Sequence, residues 1–174
     1  IKLVTDNHEF LATAIKLPGF LPSTTTAFEK GGRPLDQITL YSGLLEQPWV
    51  SSEAASYLAL QVADQAELLG DSTMARKVLQ DAMRRYSPGH AQSRWALERL
   101  GAIQFNAGEM AAVRQSLAWL LNKQEQATFP ASYYYLGRAL LEGKEYARAS
   151  LAMETYLAVV RGDTRPPVLV GLKP

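Results

Sequence analysis

Six apolar-periodic segments fill residues 52–161, and each is 12–18 residues long. The segments at 52–69, 71–86, 91–106, 109–124, 131–142 and 145–161 carry apolar residues at the three-to-four spacing of one helix face. Helix stops and starts separate them: Gly70-Asp71, Ser87-Pro88-Gly89, Ala107-Gly108, Pro130, Gly143 and Gly162-Asp163. Ser51 or Ser52 serves as the first cap. Connections this short join antiparallel helices. The expected fold class is therefore all-α, built from helical hairpins.

A small residue recurs in the first helix of each hairpin. Ala63, Gly101 and Gly137 follow one another after 38 and then 36 residues. The third copy is the clearest, with Tyr133, Leu136-Gly137, Ala139, Tyr146, Ala149 and Met153. Two helices approach closely only where a side chain is small. Gly137 and Ala149 are thus expected at the contact, with Leu136, Leu140 and Met153 filling the space around them. The pattern resembles the tetratricopeptide repeat, a helix–turn–helix unit of 34 residues. The resemblance covers about 110 of the 174 residues. Val113 departs from the family's alanine and Ala59 from its large aromatic, and the longer spacings imply lengthened turns. The resemblance implies an α-solenoid of three repeats, at about 54–88, 91–127 and 130–162 within 51–162.

The flanks fit less well. Residues 1–50 read as an irregular helical segment, either a degenerate repeat or an N-terminal cap. It holds a short helix at 7–16, a loop with one turn at 24–30, and a helix from Pro34 to near Pro48. The last hairpin carries Leu151, Met153, Leu157 and Val160, more than one helix pair buries by itself. The tail 163–174 is extended rather than an amphipathic capping helix, yet it holds Val168, Leu169, Val170 and Leu172. It is expected to cover the last hairpin, a homodimer being the alternative cover.

Little in the sequence points to catalysis. There is no cysteine, which excludes disulfides, thiolate zinc sites and cysteine nucleophiles. His8 and His90 have no partner at metal-ligand spacing, and neither a glycine-rich phosphate loop nor G-x-S-x-G is present. The expectation is no enzyme, no metal and no cofactor. Eighteen basic residues face seventeen acidic ones, which gives no overall attraction to nucleic acid or an anionic membrane. No apolar run reaches the ~18 residues of a membrane span. Beginning at Ile1 rather than Met, the chain reads as processed or excised.

In the family it resembles, the ligand groove is lined by the first helix of each hairpin. Those positions here are Tyr57, Leu60, Asp64 and Glu67, then Trp95, Glu98, Ala102 and Phe105, then Ser132, Tyr134, Arg138 and Leu141. The predicted partner-binding set is Tyr57, Asp64, Glu67, Trp95, Glu98, Phe105, Tyr134 and Arg138. Trp95 and Phe105 read equally well as core between hairpins. The family's lysine and asparagine clamp for a terminal carboxylate is replaced by Leu60, Asp64, Glu98 and Tyr134, so a basic or aromatic segment suits the groove better than an acidic tail. Residues 46–71 hold five acids and no base, while Arg76, Lys77, Arg84, Arg85, Arg94 and Arg99 crowd residues 76–99. The expected function is a scaffold that binds another protein or peptide segment, with a lean toward assembly of a bacterial envelope complex in the periplasm. A carbohydrate-binding module and an accessory segment of a larger enzyme are the alternatives.

Overall fold

The computed structural model describes Val4 and residues 6–85, 91–122 and 129–162. Among them all regular structure is helical: α1 (His8–Ala14), α2 (Phe20–Lys30), α3 (Pro34–Leu45), α4 (Ser52–Leu68), α5 (Ser72–Arg85), α6 (Ala91–Asn106), α7 (Met110–Leu117), a 3-10 turn (Ala118–Asn122), α8 (Pro130–Glu142) and α9 (Tyr146–Arg161). Two compact units are present, Ile1–Ala96 and Leu97–Pro174, divided within α6. In the first unit α2 packs on α3, α3 on α4 and α4 on α5; in the second, α7 packs on α8 and α8 on α9. The first core gathers around Tyr41, Leu44, Leu58 and Val62, the second around Leu117, Leu120, Tyr133 and Leu136.

Four hairpins share one turn. Gly32, Gly70, Gly108 and Lys144 lie in the left-handed region, at φ of 61, 82, 75 and 62°. Around each, the same backbone bonds form. In the α4–α5 turn, Gly70 N–H donates to Glu67 C=O (2.9 Å) and Asp71 N–H to Ala66 C=O (2.8 Å), and Ala75 N–H then donates to Asp71 C=O (3.1 Å). Equivalent bonds surround residues 32, 108 and 144. The pattern satisfies the last carbonyls of one helix and begins the next within two residues. Side chains add to it. Ser51 Oγ accepts from Ala54 N–H at the start of α4 (3.2 Å), and Asp71 Oδ1 accepts from Met74 N–H at the start of α5 (2.8 Å).

With the turn fixed, the residue seven before the left-handed position is paired in register with the one nine after it. A methyl placed on Gly101 would stand 2.7 Å from Leu117 Cγ, and one on Gly137 would stand 2.9 Å from Met153 Cγ. Ala63 and Leu79 occupy the same positions in α4 and α5, both fully buried. In the α2–α3 hairpin the pair is polar: Thr25 Oγ1 and Tyr41 Oη are hydrogen-bonded at 2.8 Å.

Several expectations need correction. Residues 20–30 are helix, not a loop with one turn. Pro22 falls in the first turn, where its missing N–H has no intrahelical partner to lose. Thr24 and Thr26 donate to the carbonyls of Phe20 and Pro22 four residues back. The helix from Pro34 ends at Leu45, short of Pro48. Residues 109–124 are not one α-helix: the α-helix stops at Leu117 and tightens into the 3-10 turn, whose Leu120 carbonyl accepts from Tyr133 Oη (3.1 Å). In the last turn Lys144, not Gly143, takes the left-handed conformation. Gly143 has φ of −73°, and a Cβ there would make the Arg114 guanidinium swing aside. Arg114 Nη1 donates to Glu145 Oε1 (3.1 Å), and Glu145 also receives Arg148 (2.5 Å). The Ser87-Pro88-Gly89 stop, His90 and the tail 163–174 lie outside the described residues.

One slot is filled unusually. Five residues past the left-handed position, three hairpins place a buried Ala75, Val113 or Ala149. The fourth places Gln37, fully buried, with neither amide atom hydrogen-bonded. An unpartnered buried polar group costs about 1–3 kcal/mol. Gln37→Met keeps the length and removes the amide, so the urea midpoint should rise by the equivalent of about 1–3 kcal/mol with an unchanged slope. In the opposite direction, Gly137→Leu overpacks the contact with Met153 and should cost roughly 1–3 kcal/mol in the same titration.

Candidate functional site

Within the second unit, three helices bring four aromatic rings together. Phe105 from α6 lies 4.6 Å from Tyr135 and 5.9 Å from Tyr134, centroid to centroid. Tyr134 also meets Tyr135 at 6.1 Å and Tyr156 of α9 at 5.5 Å. Offset and edge contacts of this kind each add about 0.5–1.5 kcal/mol beyond burial. Phe105, Tyr135 and Tyr156 pack against the unit's core, whereas Tyr134, outside that cluster, meets the other three rings. Its hydroxyl accepts from Arg138 Nη1 at 3.3 Å, and Arg138 is exposed one helical turn further along α8. The result is an aromatic surface, held from beneath, with a cation at its edge.

This unit holds four of the predicted residues. Phe105, Tyr134 and Arg138 come together. Glu98 sits elsewhere on α6 and accepts from Ser132 Oγ at 3.4 Å. Phe105 satisfies both readings offered by the sequence, since it supports the core and touches Tyr134. Ser132 is buried and one residue out of register; counted back from the left-handed turn, the exposed Ala131 is the equivalent of Tyr57 and Trp95. Tyr135 and Tyr156 were missed. The run Tyr133-Tyr134-Tyr135 was the available signal, because adjacent helical positions point about 100° apart and three rings cannot all enter one core. Tyr133 does enter it, fully buried.

The first unit holds the other four. Trp95 is exposed by 44%, so it is a surface residue rather than core. Asp64 and Glu67 are half-buried on α4, on the stripe that Tyr57 begins. Tyr57 is anchored: its hydroxyl and Thr25 Oγ1 are hydrogen-bonded at 3.0 Å, and Thr25 in turn meets the fully buried Tyr41. Among the described residues no group of three His, Asp or Glu could hold a metal ion, and no helix is long and apolar enough to cross a membrane. Compared with family models, curated proteins and solved structures, the chain gives no match.

Burial pushes the Tyr41 hydroxyl up to about 12 against the restraining bond from Thr25, with Tyr57 and Glu29 adding to the rise. The folded state therefore favours the neutral ring. That contribution is complete below pH 10 and is lost as pH climbs from 10 through 12. Its full size is roughly 2–3 kcal/mol. Thermal unfolding followed by circular dichroism should show stability falling across this window, and the fall should be shallower in Tyr41→Phe.

Proposed function

We propose that the chain is a non-catalytic interaction scaffold of the tetratricopeptide-like kind, and that the second unit binds a segment of another protein on the Tyr134 surface. One observation carries this reading: Tyr134 rests on three other rings yet contributes to no core cluster. Its position costs side-chain freedom without the usual return in core packing. The ring is instead rigid and amphipathic, which makes aromatic side chains effective anchors at interfaces. Arg138 at its edge suits a partner that brings a carboxylate or a further ring. That keeps the aromatic partner expected from sequence and replaces the basic one, which was favoured because Asp64, Glu67 and Glu98 were counted with the aromatics.

The four matching turns support the repeat reading. Left-handed positions at 32, 70, 108 and 144 are 38, 38 and 36 residues apart. On this view the α2–α3 hairpin is the degenerate first repeat rather than a cap of different design. An envelope setting remains part of the proposal only through the resemblance of its alanine-rich hairpins.

The test is selection of peptide ligands from a displayed random library on the immobilised chain, followed by titration of the enriched peptides. Tyr134→Ala should weaken them at least fivefold, the size of an interface residue worth more than 1 kcal/mol. Its circular dichroism should match the parent. Enriched peptides that bind the variant equally well would refute the surface. Salt-insensitive binding of neutral oligosaccharides, lost in the same variant, would transfer it to the carbohydrate reading.

A further inference from the structure

We infer that a cleft in the first unit, beside Tyr57, docks an extended segment of a partner protein in which an apolar residue lies between an acid and a base. The inference rests on the reading of the chain as a binder of protein segments, but it uses residues of the first unit alone.

The cleft has a volume of about 490 Å³, within the range of ligand sites. Tyr57 lines it together with Leu17, Pro18 and Pro22, while Lys16 and Glu53 bring opposite charges to it. It combines three properties. The first is rigidity. The Tyr57 hydroxyl is tied to Thr25, and the two proline rings have fixed φ, so little order remains to be lost on binding. The second is uncovered apolar surface. Leu17 is 58% exposed beside the prolines, and covering it is favourable in proportion to the area removed from water. The third is shape. The cleft is open to solvent rather than enclosed. A small molecule there would keep much of its surface wet, whereas an extended chain gains contacts beyond the cleft on both sides.

Charge selects the occupant further. Lys16 and Glu53 are both exposed and of opposite sign. They complement a segment with one acidic and one basic flank and disfavour one with two flanks of the same sign. Register places part of the cleft at the positions that the resemblance to the repeat family implies for ligand. Gly19 and Pro22 precede Gly32 by 13 and 10 residues, as Tyr57 and Leu60 precede Gly70. The site thus begins one hairpin before the 51–162 span in which it was sought.

Three fluorescein-labelled synthetic peptides test this on the full chain by anisotropy. They share an Ala-Leu-Pro-Leu-Ala centre and carry Asp/Arg, Asp/Asp or Arg/Arg flanks. The Asp/Arg peptide should bind tightest, by about threefold to fivefold, the scale of an exposed ion pair. Lys16→Glu should move the preference to Arg/Arg, and Glu53→Lys should move it to Asp/Asp. Leu17→Asp, at an exposed position that leaves the core intact, should weaken all three peptides at least fivefold, as should Tyr57→Ala where circular dichroism shows it folded. Absence of binding, a preference that ignores the charge reversals, or affinity untouched by Leu17→Asp would each overturn the cleft. Tyr134→Ala in the same titration separates the two sites: sensitivity there alone removes the cleft and keeps the second-unit surface.

Discussion

A single left-handed residue per hairpin sets the geometry on which the rest depends. Gly32, Gly70, Gly108 and Lys144 close one helix, satisfy its last carbonyls and start the next helix at a fixed angle. Once that turn is made, no freedom remains in which residues are in register across the hairpin. Gly101 must accept Leu117, and Gly137 must accept Met153. In three of the four hairpins a small residue of the first helix answers to that register, and in the fourth Thr25 bonds to Tyr41 there instead. Lys144 shows how strong the constraint is. A side chain in the left-handed region costs roughly 1–2 kcal/mol, yet the same hydrogen bonds form there as at the three glycines.

Most of the helices were legible in the sequence because periodicity and stops agreed. α4, α5, α6, α8 and α9 begin and end within a residue or so of the apolar segments. α2 was illegible for a physical reason. Its hairpin is joined by a Thr25–Tyr41 hydrogen bond where the others use a small residue against a large apolar one, so an alignment built on apolar packing passed over it. Three threonines and a proline also argue locally against helix, and tertiary context overrode them. Gly143 misled differently. It was read as the turn glycine because it follows the last apolar residue, whereas the left-handed position is Lys144 and Gly143 lies against the Arg114 guanidinium.

The candidate site was legible only in part. Phe105, Tyr134 and Arg138, grouped by assuming one register across hairpins, are adjacent in the structure. Tyr156 was invisible to that logic, because it lies on the second helix of its pair and was assigned to packing. The cleft beside Tyr57 could not be read at all. Leu17, Pro18 and Pro22 fall around a helix break, where no periodicity announces which side chains will share a surface. Turn chemistry and helix faces can be inferred along a chain; a concavity assembled from a break and a distant helix cannot.

The Arg114–Gly143 contact also bears on how such a chain can change over generations. The guanidinium occupies the volume that any side chain at 143 would fill, and it reaches Glu145 from there. A substitution at 143 therefore makes the Arg114 guanidinium swing aside, and the ion pair with Glu145 shifts or breaks with it. If the arginine is lost first, position 143 becomes open to ordinary residues, since its backbone is not left-handed. The two positions are coupled through that ion pair, so drift at one changes what drift at the other costs.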